Sequence, residues 1–290
     1  MAVQSSNGIP GRNDGNNSIS RQAKYEPFDL QVTRGQIAGH TPLNIFGYGT
    51  TGTTAGLFVT MWENSPSTNY VFLTSPAQLY LASTVGAGDS GALIVINGLD
   101  SNYNPISEVL ALGGTAGTGV ITAKTYWRIN NISVSLATTV QPTGTITLQN
   151  QAATSGAVEY AQINTTTYNG STVSLGVSQM AVYTVPANNT LQLTRFTANS
   201  SFTGNTANYC TYRAVAQYPS VLNSSATLVK RVVLSTPFVQ QYNIQRNFPF
   251  AYPAGTDVQW QIAPSATTAC TVGINIGGVL IANSTDSGSK

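Results

Sequence analysis

Gly86-Ala87-Gly88-Asp89-Ser90-Gly91-Ala92-Leu93-Ile94-Val95-Ile96-Asn97-Gly98, with its continuation to Val134, is the stretch whose reading decides the fold. Ala92 to Ile96 is apolar on both alternating sets and rich in β-branched residues, the pattern of a strand covered on both faces. It runs into Asn97-Gly98, a strong turn signal, so the chain is expected to reverse there. Asp100, Ser101, Asn102, Asn104 and Pro105 then supply side chains that cap their own turn. The next run sets Val109 and Ala111 on one face and Leu110 and Leu112 on the other. Beyond the loop Gly113 to Gly119, Thr125, Trp127 and Ile129 share one parity and Tyr126, Arg128 and Asn130 the other. Nothing here has the i, i+3, i+4 spacing of a helix, and the expectation is an all-β protein.

Composition supports that class. Only 8% of residues are charged, about a third of the usual share, while 41% are hydrophobic and 27 are glycine. Such a chain can bury enough apolar surface to fold, and its low charge suits a β protein that packs against neighbours without repelling them. The net charge is +2, the basic residues are scattered, and only Lys230-Arg231 stand together, which argues against nucleic acid as a partner. No apolar run approaches a membrane span and the opening residues lack a signal-peptide core, so neither a membrane partner nor export is expected. Cys210 and Cys270 can form at most one disulfide; Cys270 shares parity with Val272, Ile274 and Ile276, and both are expected as buried free thiols.

Along the chain, residues 1–24 are Asn, Gly, Ser and Arg without hydrophobic period and are expected to form a flexible arm. Residues 25–148 are expected as a first β-sandwich domain and 149–284 as a second, both antiparallel and jelly-roll-like, with a polar tail at 285–290. In the second, Ala181, Tyr183 and Val185 alternate with Met180, Val182 and Thr184, and Pro186-Ala187-Asn188-Asn189 reads as a hairpin turn into Leu191 and Leu193. Val258, Trp260 and Ile262 are placed inward against Asp257, Gln259 and Gln261. No fixed-period repeat is present, which argues against a β-helix.

Several segments occur together in a familiar order. These are Leu30 to Gly35, Phe46-Gly47-Tyr48-Gly49, Trp62-Glu63-Asn64, Gly98 to Tyr103, Tyr126 to Asn130, Tyr160 to Asn164, Met180 to Ala187 and Leu191 to Phe196. In this order the chain resembles a family of virion structural proteins of tailed phages, common among aquatic, cyanophage-like phages, over most of residues 28 to 262. The resemblance implies a virion protein made in the host cytoplasm. With the arm, the size and the lack of fibre-like repeats, the expectation is a non-enzymatic capsid decoration (cement) protein. Its expected partners are the major capsid protein and itself, as a homotrimer. The alternatives are a tail-associated adaptor or receptor-binding protein and, further off, a tail depolymerase.

Some stretches carry residue types that chemistry could use. Gly88-Asp89-Ser90-Gly91 copies the text around the nucleophile of chymotrypsin-like proteases, but a serine needs an imidazole, and the single histidine, His40, stands too close upstream for a two-barrel protease. Asp100, Asn102 and Asn104 match the first ligand positions of a calcium loop, yet Pro105 replaces the required glycine and Ala111 the bidentate glutamate. One histidine and two distant cysteines make no zinc set, and the ten acids suggest no catalytic pair. Trp127 and Trp260 sit in regular alternation and fit packing better than sugar stacking, whereas Trp62, at a strand end beside Glu63-Asn64-Ser65-Pro66, is left open between the two. No catalytic, cofactor or metal residue is nominated and no cofactor is expected.

Overall fold

Period-two alternation, repeated from residue 40 to the C-terminal end, builds antiparallel strands wherever one set of side chains can be buried. The computed structural model describes residues 26–66, 69–202, 209–218, 229–238 and 241–283, with backbone alone at 229–238 and 241–249. The expected arm at 1–24 and tail at 285–290 lie outside the described residues. A short helix, α1 (Phe28–Thr33), comes first. Pro27 pre-sets its entry with φ near −53°, and Gly35, at φ +69°, follows its end.

The strands then follow in order: β1 (His40–Thr50), β2 (Val59–Thr60), β3 (Tyr80–Ser83), β4 (Leu93–Leu99), β5 (Pro105–Ala111) and β6 (Val120–Ile121). Next are β7 (Arg128–Val134), β8 (Ile146–Gln149), β9 (Glu159–Ile163), β10 (Thr165–Tyr168), β11 (Ser171–Ser174) and β12 (Val182–Thr184). The last are β13 (Asn189–Phe202), β14 (Cys210–Tyr218), β15 (Val229–Phe238), β16 (Gln241–Tyr252), β17 (Asp257–Pro264) and β18 (Cys270–Ala282). Every ladder among the described residues is antiparallel.

Two sheets enclose the larger core. One runs β1-β18-β13-β16 and the other β12-β17-β14-β15, with β2 also paired to β17. Ile45, Leu191, Phe196, Val272 and Ile274 of the first meet Tyr183, Tyr212, Ala214, Val258 and Trp260 of the second. Phe196 stacks on Tyr212 with ring centroids 3.9 Å apart. Along β13 the buried set changes from odd (Leu191, Leu193) to even (Phe196, Ala198) numbers. A bulge between Leu193 and Arg195 causes this, because one extra residue, Thr194, turns every later side chain to the other face.

The second core lies between the sheets β6-β3-β8-β9 and β5-β4-β7, where Leu81, Ile146 and Leu148 pack with Ile94, Ile96 and Ile129. Strand pairing does not follow the expected break at 148/149. β1 and β2 belong to the larger core although they fall in the first half, while β8 pairs β9 across the break and Tyr160, Met180 and Val182 complete the second core. The second core is thus an insertion between β2 and β12.

Two further expectations change. Asn97-Gly98 is not a turn: β4 continues to Leu99, and the reversal is made by Asp100 to Asn104. Gly98 stands there because β7 crosses close by, at a bulge in the β4 ladder, and a Cβ at Gly98 would collide with the Arg128 carbonyl oxygen and the Tyr126 ring. The hairpin at 186–189 is also absent. β12 pairs with β17 and β13 with β16 and β18, so Pro186 to Asn189 carry the chain from one sheet to the other. The reason is that β12 is buried on both faces: Ala181, Tyr183 and Val185 face the larger core, and Met180 and Val182 the second. Gly98→Ala is therefore expected to destabilise the protein by about 1–3 kcal/mol, read as a fall in the urea midpoint.

Candidate functional site

The seam between the two cores holds the strongest electrostatic arrangement among the described residues. Arg128, at the start of β7, reaches Asp257, at the start of β17, with Nε and Nη2 each donating to a carboxylate oxygen at 2.9 Å. Their side chains are 3% and 1% exposed. The remaining guanidinium nitrogen donates to the Leu73 and Trp127 carbonyl oxygens, and Thr184 Oγ1 on β12 donates to Asp257 at 2.6 Å. The guanidinium also lies 4.1 Å from the Trp127 ring centre and 5.1 Å from that of Phe72. Beside it, Asn130 and Thr184 exchange two hydrogen bonds between β7 and β12. Arg128 shares its alternation with Tyr126, which hides its role; the only sequence signal was a basic residue inside an otherwise core-forming run.

In the Gly88-Asp89-Ser90-Gly91 stretch it is the aspartate, not the serine, that is engaged. Asp89 is buried in the short 3-10 turn Gly86–Asp89 and accepts hydrogen bonds from Ser83 Oγ, Thr143 N and Oγ1, and Gly144 N. Burial pushes its carboxyl up, but these donors together outweigh that and hold it below the usual carboxylate range. Ser90 is exposed, whereas His40 opens β1 in the other core's sheet, its Nδ1 3.0 Å from the Ala38 carbonyl oxygen. The structure does not bring the two together. At the supposed calcium loop, Asp100 accepts from Asn102 N, Asn104 N and Asn104 Nδ2, and Tyr103 adopts φ +62° to close the turn. Desolvation pushes the Asp100 carboxyl up, but these donors together outweigh it and lower the carboxyl. No three His, Cys, Asp or Glu side chains among the described residues gather to hold a metal. Trp62 and Trp260 are buried in the two cores and Trp127 is half-buried under Arg128.

Sequence reasoning missed two acids whose carboxyls burial perturbs. Glu63 is buried just after Met61 and Trp62, which face different cores, and its carboxylate oxygens make no well-formed hydrogen bond among the described residues. Burial lifts its carboxyl to about 8, opposed only in part by the backbone N–H groups of Gln179 and Asn164. Asn64 next to it donates to Glu159 at 2.6 Å, and burial raises Glu159 too, against that hydrogen bond. Neither acid lines the cleft described next.

The exposed features lie elsewhere. On the outer face of the β1-β18-β13 sheet, Phe46 and Tyr48 stand 49% and 47% exposed, in register with Asn275 and Gly273, which in turn face Thr197 and Asn199. A side chain at Gly273 would stand in open space, so a shelf lies beside Tyr48. The same face continues into a cleft of about 440 Å³ under α1, lined by Asp29, Thr33, Asn44, Thr194, Arg195 and Gly277 among others. The β10–β11 hairpin projects separately, turned by Asn169 and Gly170 at positive φ, with all of β10 exposed and Tyr168 at 67%. Apart from Asp29 and Arg195 in the cleft, these surfaces carry amides, hydroxyls and aromatic rings.

No protein-family model and no curated protein matches the chain. Among solved structures, the infectious bursal disease virus Gx strain aligns over 85% of this chain and 72% of that one, at 11% identity and a TM-score of 0.24. The VP2 subviral particle of infectious bursal disease virus aligns over 86% and 74%, at 11% identity and a TM-score of 0.22. Scores of this size do not establish a common fold.

Two outcomes follow from the buried groups. Arg128→Met strands Asp257 and is expected to cost about 3–5 kcal/mol, whereas Arg128→Met combined with Asp257→Leu costs less than the single change; urea unfolding of the three proteins checks this. Glu63 binds its proton more tightly folded than unfolded, so its contribution is complete below the ordinary 4.5 and is lost as pH rises through about 8. Glu63→Gln is expected to flatten the fall in stability over that window, read from urea midpoints at several pH values.

Proposed function

We propose that the chain is a non-enzymatic structural protein of a virion, serving as a capsid decoration (cement) protein of a tailed phage. The observation that carries this reading is the outer face of the β1-β18-β13 sheet: a flat row of amides and hydroxyls edged by Phe46 and Tyr48, suited to lying against another protein. The strong charges, meanwhile, are used inside: Arg128, Asp257 and Asp89 are all committed to buried hydrogen bonds. We read the eight strands β1 and β12 to β18 as one jelly roll, since in chain order they change sheet at every step except β14 to β15, which pair as neighbours, with the second core inserted in its first connection. Jelly rolls recur in viral capsids and in lectins, so the fold supports the reading by analogy alone. The resemblance to tailed-phage virion proteins supplies the setting.

On this reading the major capsid protein is the partner. Three copies join about a capsid three-fold site, where closed symmetry lets three weak contacts act together. Residues 1–24 fasten them. The test is the place and number of copies in purified virions, from a quantified gel and labelled particles. Copies on the order of hundreds on the capsid surface are expected; a handful at the tail would instead favour an adaptor or receptor-binding protein, and turnover of host polysaccharide a depolymerase.

A further inference from the structure

Cys210 opens β14 and Cys270 opens β18, so the two belong to the opposite sheets of the larger core. Both are fully buried, and their sulfur atoms are 3.0 Å apart although 60 residues separate them in sequence. That distance is longer than a sulfur–sulfur bond of about 2.05 Å and shorter than an ordinary contact between two sulfurs. The backbones on either side are fixed. Cys210 is in register with Pro264 and Phe238, and Cys270 with Phe202. Cys270 N donates to Thr51 Oγ1, and its carbonyl oxygen accepts from Thr51 N at 2.8 Å. The entropy of bringing the sulfurs together is already lost on folding.

We propose that Cys210 and Cys270 form a redox-sensitive cross-link between the two sheets: a dithiol when the protein is made, and a disulfide once it meets a peroxide-class oxidant. Cys270 reacts first. The Cys210 thiol donates to its sulfur at 3.0 Å, which favours the Cys270 thiolate against the opposing effect of burial. The same coupling, with burial, raises the Cys210 thiol. The Cys270 thiolate attacks one oxygen of hydrogen peroxide and breaks the O–O bond, giving a sulfenic acid and hydroxide. The Cys210 sulfur then attacks the Cys270 sulfur; the S–O bond breaks and the oxygen leaves as water with the Cys210 proton. Two thiols and one peroxide become one disulfide and two waters.

The cross-link does not depend on the virion reading, and its first test uses the native full chain. Native protein is treated with hydrogen peroxide or with a reductant, then denatured, alkylated with iodoacetamide and mapped by mass. The peroxide-treated chain is expected to lose about 2 Da, to take up no alkyl group, and to yield one peptide pair joining Cys210 to Cys270. Its Tm is expected to rise by about 5–10 °C. In Cys210→Ser, dimedone is expected to trap a sulfenic acid at Cys270. Full alkylation of both cysteines after peroxide treatment overturns the proposal, as does stepwise over-oxidation or linkage between separate chains.

Discussion

The Arg128–Asp257 ion pair is the constraint on which the rest of the structure depends. Removing two such ions from water costs several kcal/mol each, and only close geometry with further hydrogen bonds offsets that. Here the pairing is bidentate, Thr184 serves the carboxylate, and the Leu73 and Trp127 carbonyls serve the guanidinium. Every one of these groups must be in place together. Because β7 belongs to the second core and β12 and β17 to the larger one, the pair can form only when both cores are folded and docked. β12 serves the same end by hydrophobic means, giving one set of side chains to each core.

This arrangement bears on function through what it leaves outside. With 8% of its residues charged, the chain has few charges to place, and several are sealed in the seam and in the Asp89 turn. The outer sheet face and the β10–β11 hairpin are left to Asn, Thr, Gly and aromatic side chains, which pack against neighbours without repulsion. Inside, the ion pair ties the two cores together, and the facing cysteines stand 3.0 Å apart between the sheets of one of them.

Much of the strand content was legible because period two survives wherever one face is buried, as in Val272, Ile274 and Ile276 on β18. The Asp100 turn was legible too, since its ligands are its own neighbours in sequence. What failed was what depends on distant packing. Asn97-Gly98 has turn chemistry, yet the glycine answers the approach of β7. The alternation at 180–185 was visible, but not that its two faces serve two cores, and so a hairpin was expected where the chain changes sheets. The inserted second core escaped notice because β1 finds its partner, β18, across more than two hundred residues. At the candidate sites, Glu63 and Arg128 look like ordinary polar residues until their burial is seen.

The central claim is that two cores separated in sequence form one cooperative unit through the Arg128–Asp257 seam. Differential scanning calorimetry of the full chain tests this most directly. The account predicts one transition whose calorimetric enthalpy equals the van't Hoff enthalpy. Two resolved transitions, or a calorimetric enthalpy well above the van't Hoff value, would show the cores melting independently and contradict it.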